Sequence, residues 1–274
     1  MEQRIGRRDI LRIAGGCCLA AGAGYAAAIE PKWLEMTEHL IAVPDLPVAL
    51  RGYRIAQLSD LHLSELGSLH DHLLDLVRAH DPQLIALTGD VLEETHRLAV
   101  VGELCRALSK PGRHVVATLG NWEHWGNVPR AELEATYLRS GARLLGNESV
   151  RLDSGMSLVS IDDACSGHAD PRRALASVPA APVRLLLTHA PAVFDDLPTD
   201  GPQFDLGLAG HTHGGQVRAV GAAVWTPPGS GRFRSGMYDT PLGRAYVSRG
   251  IGTSVLAVRF ACRPEMPIFR LETA

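Results

Sequence analysis

The sequence predicts an α/β protein, and three observations carry that expectation. Apolar runs and amphipathic helical stretches alternate three times between residues 53 and 140. The runs are continuously apolar, as in Leu84-Ile85-Ala86-Leu87, which suits parallel strands buried on both faces. Each run is followed by a carboxylate or an amide, at Asp60, Asp90 and Asn121. Open α/β sheets gather their ligands beyond the carboxyl ends of the strands.

A chain of 274 residues, 46% hydrophobic and 21% charged, is long enough for one large domain with a substantial core. A net charge of -3 without a broad basic face argues against a general nucleic-acid binder and disfavours a metal-dependent nuclease. No internal apolar stretch makes a convincing membrane span. Of the five cysteines, Cys17 and Cys18 lie near the N-terminus, while Cys105, Cys165 and Cys262 are far apart. They match neither a disulfide framework nor a zinc-finger spacing and read as buried or free thiols.

Residues 1-28 are expected to be an export signal or an N-terminal anchor. Arg4, Arg7, Arg8 and Arg12 make a basic start, and an uncharged Ala/Gly-rich stretch follows. Gly6-Arg7-Arg8-Asp9-Ile10-Leu11-Arg12 resembles the twin-arginine signal, with Ile where Phe is usual, and Ala26-Ala27-Ala28 offers a cleavage site. The resemblance implies the twin-arginine export machinery as a partner. It also implies a periplasmic or envelope location, membrane-anchored if residues 1-28 are retained. Residues 29-274 are expected to form a single domain.

In chain order, His39 to Val43 reads as an edge strand and Tyr53 to Ser59 as the first core strand. Ser68 to His80 is expected to be helical, with Leu69, Leu73, Leu76 and Val77 on one face, a capping box of Ser68 with Asp71, and Asp81-Pro82 as the stop. The strand Gln83 to Thr88 follows, then a helix from Arg97 to Leu108 and a strand from His114 to Leu119. Pro129 to Ser140 has Pro at its first turn and Gly141 after its end, the usual helix asymmetry. The second half reads as strands at Ala142–Leu145, Ser157–Ile161, Val183–Thr188, Phe204–Ala209, Arg244–Ser248, Ser254–Phe260 and Pro267–Leu271. Two of these lead into imidazoles, at His189 and at His211 with His213. The Gly/Pro-rich stretch from Val220 to Leu242 reads as a long loop, and long loops are commonly functional or disordered.

Asp60 and His62 are two apart, so on an extended chain they share a face and form a pair able to hold a metal. With the later motifs the chain reads D-x-H, G-D, G-N, T-H, G-H-x-H, each after an apolar strand. This ordered set resembles the calcineurin-like metallophosphoesterase superfamily over nearly all of the chain after about residue 50. The tracts Gly210 to Arg218 and Val247 to Glu265 resemble its exported bacterial branch. The resemblance implies a four-layer α/β/β/α sandwich of two mixed sheets flanked by helices, with 29-274 as the catalytic domain. It implies two divalent metal ions bridged by Asp90, one held also by Asp60, His62 and His213, the other by Asn121, His189 and His211. Oxygen and imidazole ligands without thiolate suit Mn, Zn or Fe. The implied reaction is hydrolysis of phosphate mono- or diesters by a metal-bridged hydroxide. Small or envelope-associated phosphate esters are the expected substrates, with no specific nucleic acid and no stable protein partner.

Asp90, Asn121, Glu123 and His124 are the expected catalytic residues, and one departure bears on them. Where the family often has His after Gly-Asn, this chain has Trp122. Indole is no acid in this range. Glu123 keeps the acidic place and His124, two positions on, is the candidate substitute. Loss of a general acid is worth about 10²–10⁴-fold, felt most by poor leaving groups. The alternative from a different class is a metal-binding scaffold of the same fold with little turnover, for which Trp122 is the sole support. Trp122, His124 and Trp125 are expected at the mouth, stacking on a base, sugar or lipid-linked group or else packing the loop. Arg232 and Arg234 read as exposed loop charges or, in the alternative, as groups that meet an anionic substrate, and His70, His72, His80, His96, His114 and His168 carry no motif.

Overall fold

Strand side chains point alternately to opposite faces of a sheet, and in the strand Leu84–Thr88 both faces meet apolar layers. Leu84 and Ala86 pack in one cluster and Ile85 and Leu87 in another. That double burial explains the uninterrupted apolar runs. The computed structural model describes residues 20–274; the expected export signal therefore lies largely outside the described residues.

The first half contributes β1 (Glu35–Val43), β2 (Arg54–Leu58), α1 (Ser68–His80), β3 (Leu84–Thr88), α2 (Leu98–Leu108), β4 (His114–Thr118), α3 (Asn121–Trp125), α4 (Arg130–Arg139) and β5 (Arg143–Leu144). The second contributes β6 (Glu148–Arg151), β7 (Ser157–Ser160), α5 (Pro171–Leu175), β8 (Arg184–Leu187), α6 (Val193–Asp196), β9 (Phe204–Ala209), β10 (Arg218–Ala219), β11 (Ala222–Ala223), β12 (Gly236–Thr240), β13 (Gly243–Val247) and β14 (Glu265–Thr273). One six-stranded sheet runs β1-β14-β2-β3-β4-β5 and the other β12-β13-β9-β8-β7-β6. Strands β2 to β5 are mutually parallel, as are β7, β8, β9 and β13, so each sheet presents several carboxyl ends along one edge.

The two sheets face each other across a core that includes Ile55, Leu84, Val116, Leu158, Leu185, Leu206 and Phe269. Helices α1, α2 and α4 cover the outer face of the first sheet through Leu73, Val77, Val101, Leu104 and Leu133. The short α5 and α6 cover the second through Ala174, Val193 and Phe194. This is the expected four-layer arrangement of two mixed sheets flanked by helices.

Three local expectations need correction. Ser254 to Phe260 is not a strand: it is a loop, touching strand-like pairing only at the bridge of Phe260 with Val217. Val255 has a left-handed φ of 64°, and the Gln216 side chain accepts from the Ser254 amide (2.7 Å) and donates to the Ser254 carbonyl (3.1 Å), which holds the chain bent. Helix α1 is not closed by Ser68 with Asp71; Gly67 is its cap residue, and the Gly67 amide donates to His70 Nδ1 at 3.1 Å. The stretch from Val220 to Leu242 is not loop throughout: it contains β11 and β12, and β12, like β6, was not evident in the sequence because each is an edge strand of mixed polarity.

Candidate metal centre

Every candidate ligand stands just past the end of a strand. Asp60 and His62 follow β2, Asp90 follows β3, Asn121 follows β4, His189 follows β8, and His211 and His213 follow β9. The Gln57 side chain aligns the two sheet edges, donating to Thr88 Oγ1 and to the Ala209 carbonyl, each at 2.9 Å. The turns that carry the ligands are tight. Asp60, His62, Asp90, His211 and His213 all have left-handed φ, between 46° and 70°. Non-glycine residues adopt this region uncommonly, and such conformations cluster at functional sites. Gly120 is required beside them, since a side chain there would overlap the Asp90 carboxylate.

The ligand atoms gather in two clusters, one of Asp60, His62 and His213 and one of Asp90, His189 and His211. In the first, His213 Nε2 lies 3.1 Å from His62 Nε2 and 3.4 Å from Asp60 Oδ1. In the second, His189 Nε2 lies 3.0 Å from Asp90 Oδ2 and 3.3 Å from His211 Nδ1. Asp90 Oδ2 also lies 3.9 Å from His62 Nε2, so one carboxylate reaches both clusters.

These residues suit divalent ions. Asp60 Oδ2 and Asn121 Oδ1 are buried acceptors without a hydrogen-bond partner, an arrangement proteins avoid unless something else satisfies the atom. The imidazoles are oriented from behind. His189 Nδ1 donates to the Thr88 carbonyl at 2.8 Å, and His62 Nδ1 sits 2.8 Å from Glu93 Oε1, which leaves both Nε2 atoms facing the cluster. His211 Nε2 lies 2.7 Å from the Pro228 carbonyl and 3.4 Å from Cys165 Sγ. Burial pushes the Asp90 carboxyl up, but His189 and His62 more than offset it and hold it at about 2. His189 is pulled well above the usual imidazole range despite burial, chiefly by Asp90. His213 is pushed well below it by burial and then by His62.

The four expected catalytic residues do not all face the same space. Asp90 and Asn121 line a cleft of about 760 Å³, with His211 and His213 on its floor. Glu123 does not line it. Its carboxylate accepts the backbone amides of Val91 (2.6 Å) and Leu92 (3.2 Å) on Oε1, and of Gly120 (2.8 Å) and Asp90 (3.1 Å) on Oε2. It pins the Asp90 loop to the Asn121 loop. Burial and the neighbouring Asp90 still push its pKa up to about 7. His124 is turned to Asp162, 2.8 Å away, and stacks on His168 with ring centroids 3.8 Å apart. Trp122 and Trp125 do line the cleft, edge to face at 5.9 Å, with the Trp122 ring edge-on to His62. Arg232 is paired with Asp195 and the Arg234 guanidinium with backbone carbonyls; neither lines the cleft.

The sequence did not single out Glu93, Cys165 or Asp162. Glu93, three residues after Asp90, had no strand end or ligand spacing to mark it, and its role depends on a contact across 31 residues. Val224, Trp225, Val255, Leu256 and Val258, which also line the cleft, were hidden in stretches that read as a loop and a strand.

A profile described as calcineurin-like phosphoesterase matches residues 53–215. The chain is 32% identical over 291 aligned positions to the uncharacterized metallophosphoesterase YkuE of Bacillus subtilis, with 99% of each chain covered. It is 29% identical to the phosphodiesterase YaeI of Escherichia coli, covering 97% of this chain and 98% of that one. It is 26% identical to a transmembrane protein with metallophosphoesterase domain of Danio rerio, covering 98% of this chain and 63% of that protein.

Proposed function

This chain belongs to the calcineurin-like phosphoesterase family, and we propose that within it the protein is a dinuclear metal-dependent phosphodiesterase. The observation that carries the reading is the position of Asp90, whose carboxylate reaches two separate ligand clusters at the floor of one cleft. Asp60, His62, Asp90 and His213 would hold one ion, and Asp90, Asn121, His189 and His211 the other. Mn, Zn and Fe all suit these donors. When bound, such ions supply Lewis-acid polarisation of phosphoryl oxygens and a water activated at neutral pH.

The chain's own residues do the rest. The Thr88 carbonyl and Glu93 fix the tautomers of His189 and His62. Glu123 sets the spacing of the Asp90 and Asn121 loops. Trp122 and Trp125 form part of the cleft wall, with Trp122 edge-on to His62. The Gly-Asn loop offers no proton to a departing oxygen, because Trp122 lacks an acidic proton and His124 is engaged by Asp162. Esters with good leaving groups are therefore favoured. Among the described residues, the cleft lining contains neither Lys nor Arg. A monoester dianion has less to balance its charge there than a diester monoanion, which favours diesters, as in the relative named a phosphodiesterase.

The arginine-bearing start of the chain supports export as a folded, metal-loaded protein and work in the cell envelope, on envelope-associated or small phosphate esters. The test is metal content of the purified protein together with hydrolysis of bis(p-nitrophenyl) phosphate and p-nitrophenyl phosphate. Close to two ions per chain and faster diester hydrolysis are expected. Metal binding without turnover on either ester would favour the scaffold alternative, and no binding even with added Mn or Zn would overturn the reading.

A further inference from the structure

The wall of the cleft is unlike its floor. Val217, Val224, Trp225, Val255, Leu256 and Val258 line it together with the ligand-bearing residues His211 and His213. Four of these are strongly exposed: Val224 65%, Trp225 64%, Val255 86% and Leu256 65%. Single exposed apolar residues need no explanation, but a contiguous apolar surface beside a polar site marks a binding surface. The wall is built, not incidental. Gln216 ties its two loops together, bonding both the amide and the carbonyl of Ser254 and the carbonyl of Leu256 (3.3 Å), while the Val224 amide donates to the Val217 carbonyl at 3.1 Å. Val255 holds a left-handed backbone that a β-branched side chain rarely adopts, and that conformation leaves its side chain in solvent at the mouth.

A second observation concerns where the chain enters. The Tyr25 ring meets Phe260 edge to face at 6.5 Å, the Arg259 amide donates to the Ala26 carbonyl at 2.9 Å, and the Ala261 amide donates to Glu30 Oε2 at 3.0 Å. The segment following the basic, Ala/Gly-rich start therefore packs on the same loop that forms the apolar wall. Ile29, Trp33 and Phe260 add further exposed apolar surface beside it.

Resting on the phosphodiesterase reading above, we infer that the substrate is an amphiphile: a phosphodiester carrying an alkyl or acyl chain. The phosphate sits over the ligand clusters and the chain lies along the Val224-Trp225 and Val255-Leu256 wall. The cleft volume of about 760 Å³ falls within the range of small-molecule sites. The polar floor and apolar wall divide that space between headgroup and tail.

The experiment uses the full chain, metal-loaded, and a series of p-nitrophenyl alkyl phosphodiesters from ethyl to decyl, each below its micelle concentration. The leaving group and the reacting phosphorus are constant, so the series reads the wall alone. Each methylene fully removed from water is worth roughly fourfold. The expected result is a rise in kcat/KM of about 100-fold or more from ethyl to decyl, with the decyl-to-ethyl ratio falling about tenfold or more in Val255→Ser/Leu256→Ser. Both positions are exposed, and Trp225→Ser gives an independent variant with the same expected direction. Equal kcat/KM across the series in an active enzyme would overturn the inference while leaving the phosphodiesterase reading intact. That result would also fit a wall covered by another protein or by the chain's own N-terminus. An unchanged ratio in both variants would overturn the assignment to this wall. No hydrolysis of any member, nor of bis(p-nitrophenyl) phosphate, would overturn the phosphodiesterase reading and this inference with it.

Discussion

Replacing Glu123 by Gln is the sharpest test of how the site is held. The carboxylate accepts four backbone amides, two on each oxygen, at 2.6 to 3.2 Å, and it is 2% exposed. Gln keeps the shape but turns one oxygen into an NH₂, which then faces two N–H donors. Above about pH 8, past the Glu123 pKa of about 7, where the group is a carboxylate, two charge-assisted bonds are lost, at about 1.5–3 kcal/mol each, and the relief of burying a charge offsets part of that. A net loss of about 3 kcal/mol is expected, which in a chain of this size lowers Tm by roughly 6–12 °C. The two ligand loops also lose their common anchor, so metal affinity falls by about tenfold or more. Differential scanning calorimetry of the metal-free protein and calorimetric metal titration at 25 °C read the two effects separately. A Tm within a degree of wild type would refute the argument, since it would mean the amides find equal partners without the carboxylate. A lowered Tm with unchanged metal affinity would show that Glu123 supports the fold but not the site.

Asp90→Ala should reduce metal content from about two ions per chain to one or none and abolish hydrolysis with it; full activity would dismiss Asp90 as the shared ligand. Trp122→His should leave metal content unchanged and raise kcat on simple alkyl phosphodiesters by about tenfold or more, with little effect on p-nitrophenyl esters; equal effects on both would mean that proton donation is not what Trp122 withholds. In the metal-free protein Asp90 and His189 should each contribute stability with its own pH dependence. Stability from Asp90, depressed to about 2 from 3.8, is complete above 3.8 and is lost as pH falls toward 2. Stability from His189, whose pKa is raised, is complete below 6.5 and is lost as pH rises through its folded value. Because His213, held neutral by burial, works the other way below pH 6.5, the His189 share is read by difference: in chelator the Tm advantage of wild type over His189→Gln should be largest below pH 6.5 and shrink as pH rises toward about 9, and an advantage that grows with pH would contradict the pairing. Because metal must displace the His189 proton, metal uptake at pH 7 in weak buffer should release protons, measurable by pH-stat.

The clustering of the candidate ligands was legible because these residues are tied to a local rule: an apolar strand, then a short turn, then a side chain able to ligate. Asp60, Asp90, Asn121, His189, His211 and His213 all obey it, and the structure brings all six, with His62, to one edge of the sandwich. Glu123 and His124 were legible only as neighbours of Asn121, and sequence proximity misled. The chain turns into α3 immediately at Asn121, and a helical turn sends successive side chains to different sides. Glu123 therefore points back to the backbone of residues 90–92 and His124 sideways to Asp162, while Trp122 and Trp125 reach the cleft. The apolar wall was unreadable for a different reason. Ser254 to Phe260 has strand composition, but its shape depends on Gln216, 38 residues away in the chain, and on the unusual backbone at Val255. Apolar composition alone does not distinguish a buried strand from an exposed lip.

Each ligand cluster draws on both sheets. Asp60 and His62 come from the first sheet and His213 from the second; Asp90 comes from the first, and His189 and His211 from the second. Ions bound there would act as two rivets through the sandwich, stabilising the folded state in proportion to their occupancy. Neither half of the chain owns a complete set of ligands, so a fragment or a nicked chain whose sheets separate would release both ions at once. Loss of metal and loss of the sheet-to-sheet interface would thus be one event, and the protein's lifetime should follow the supply of metal in its surroundings.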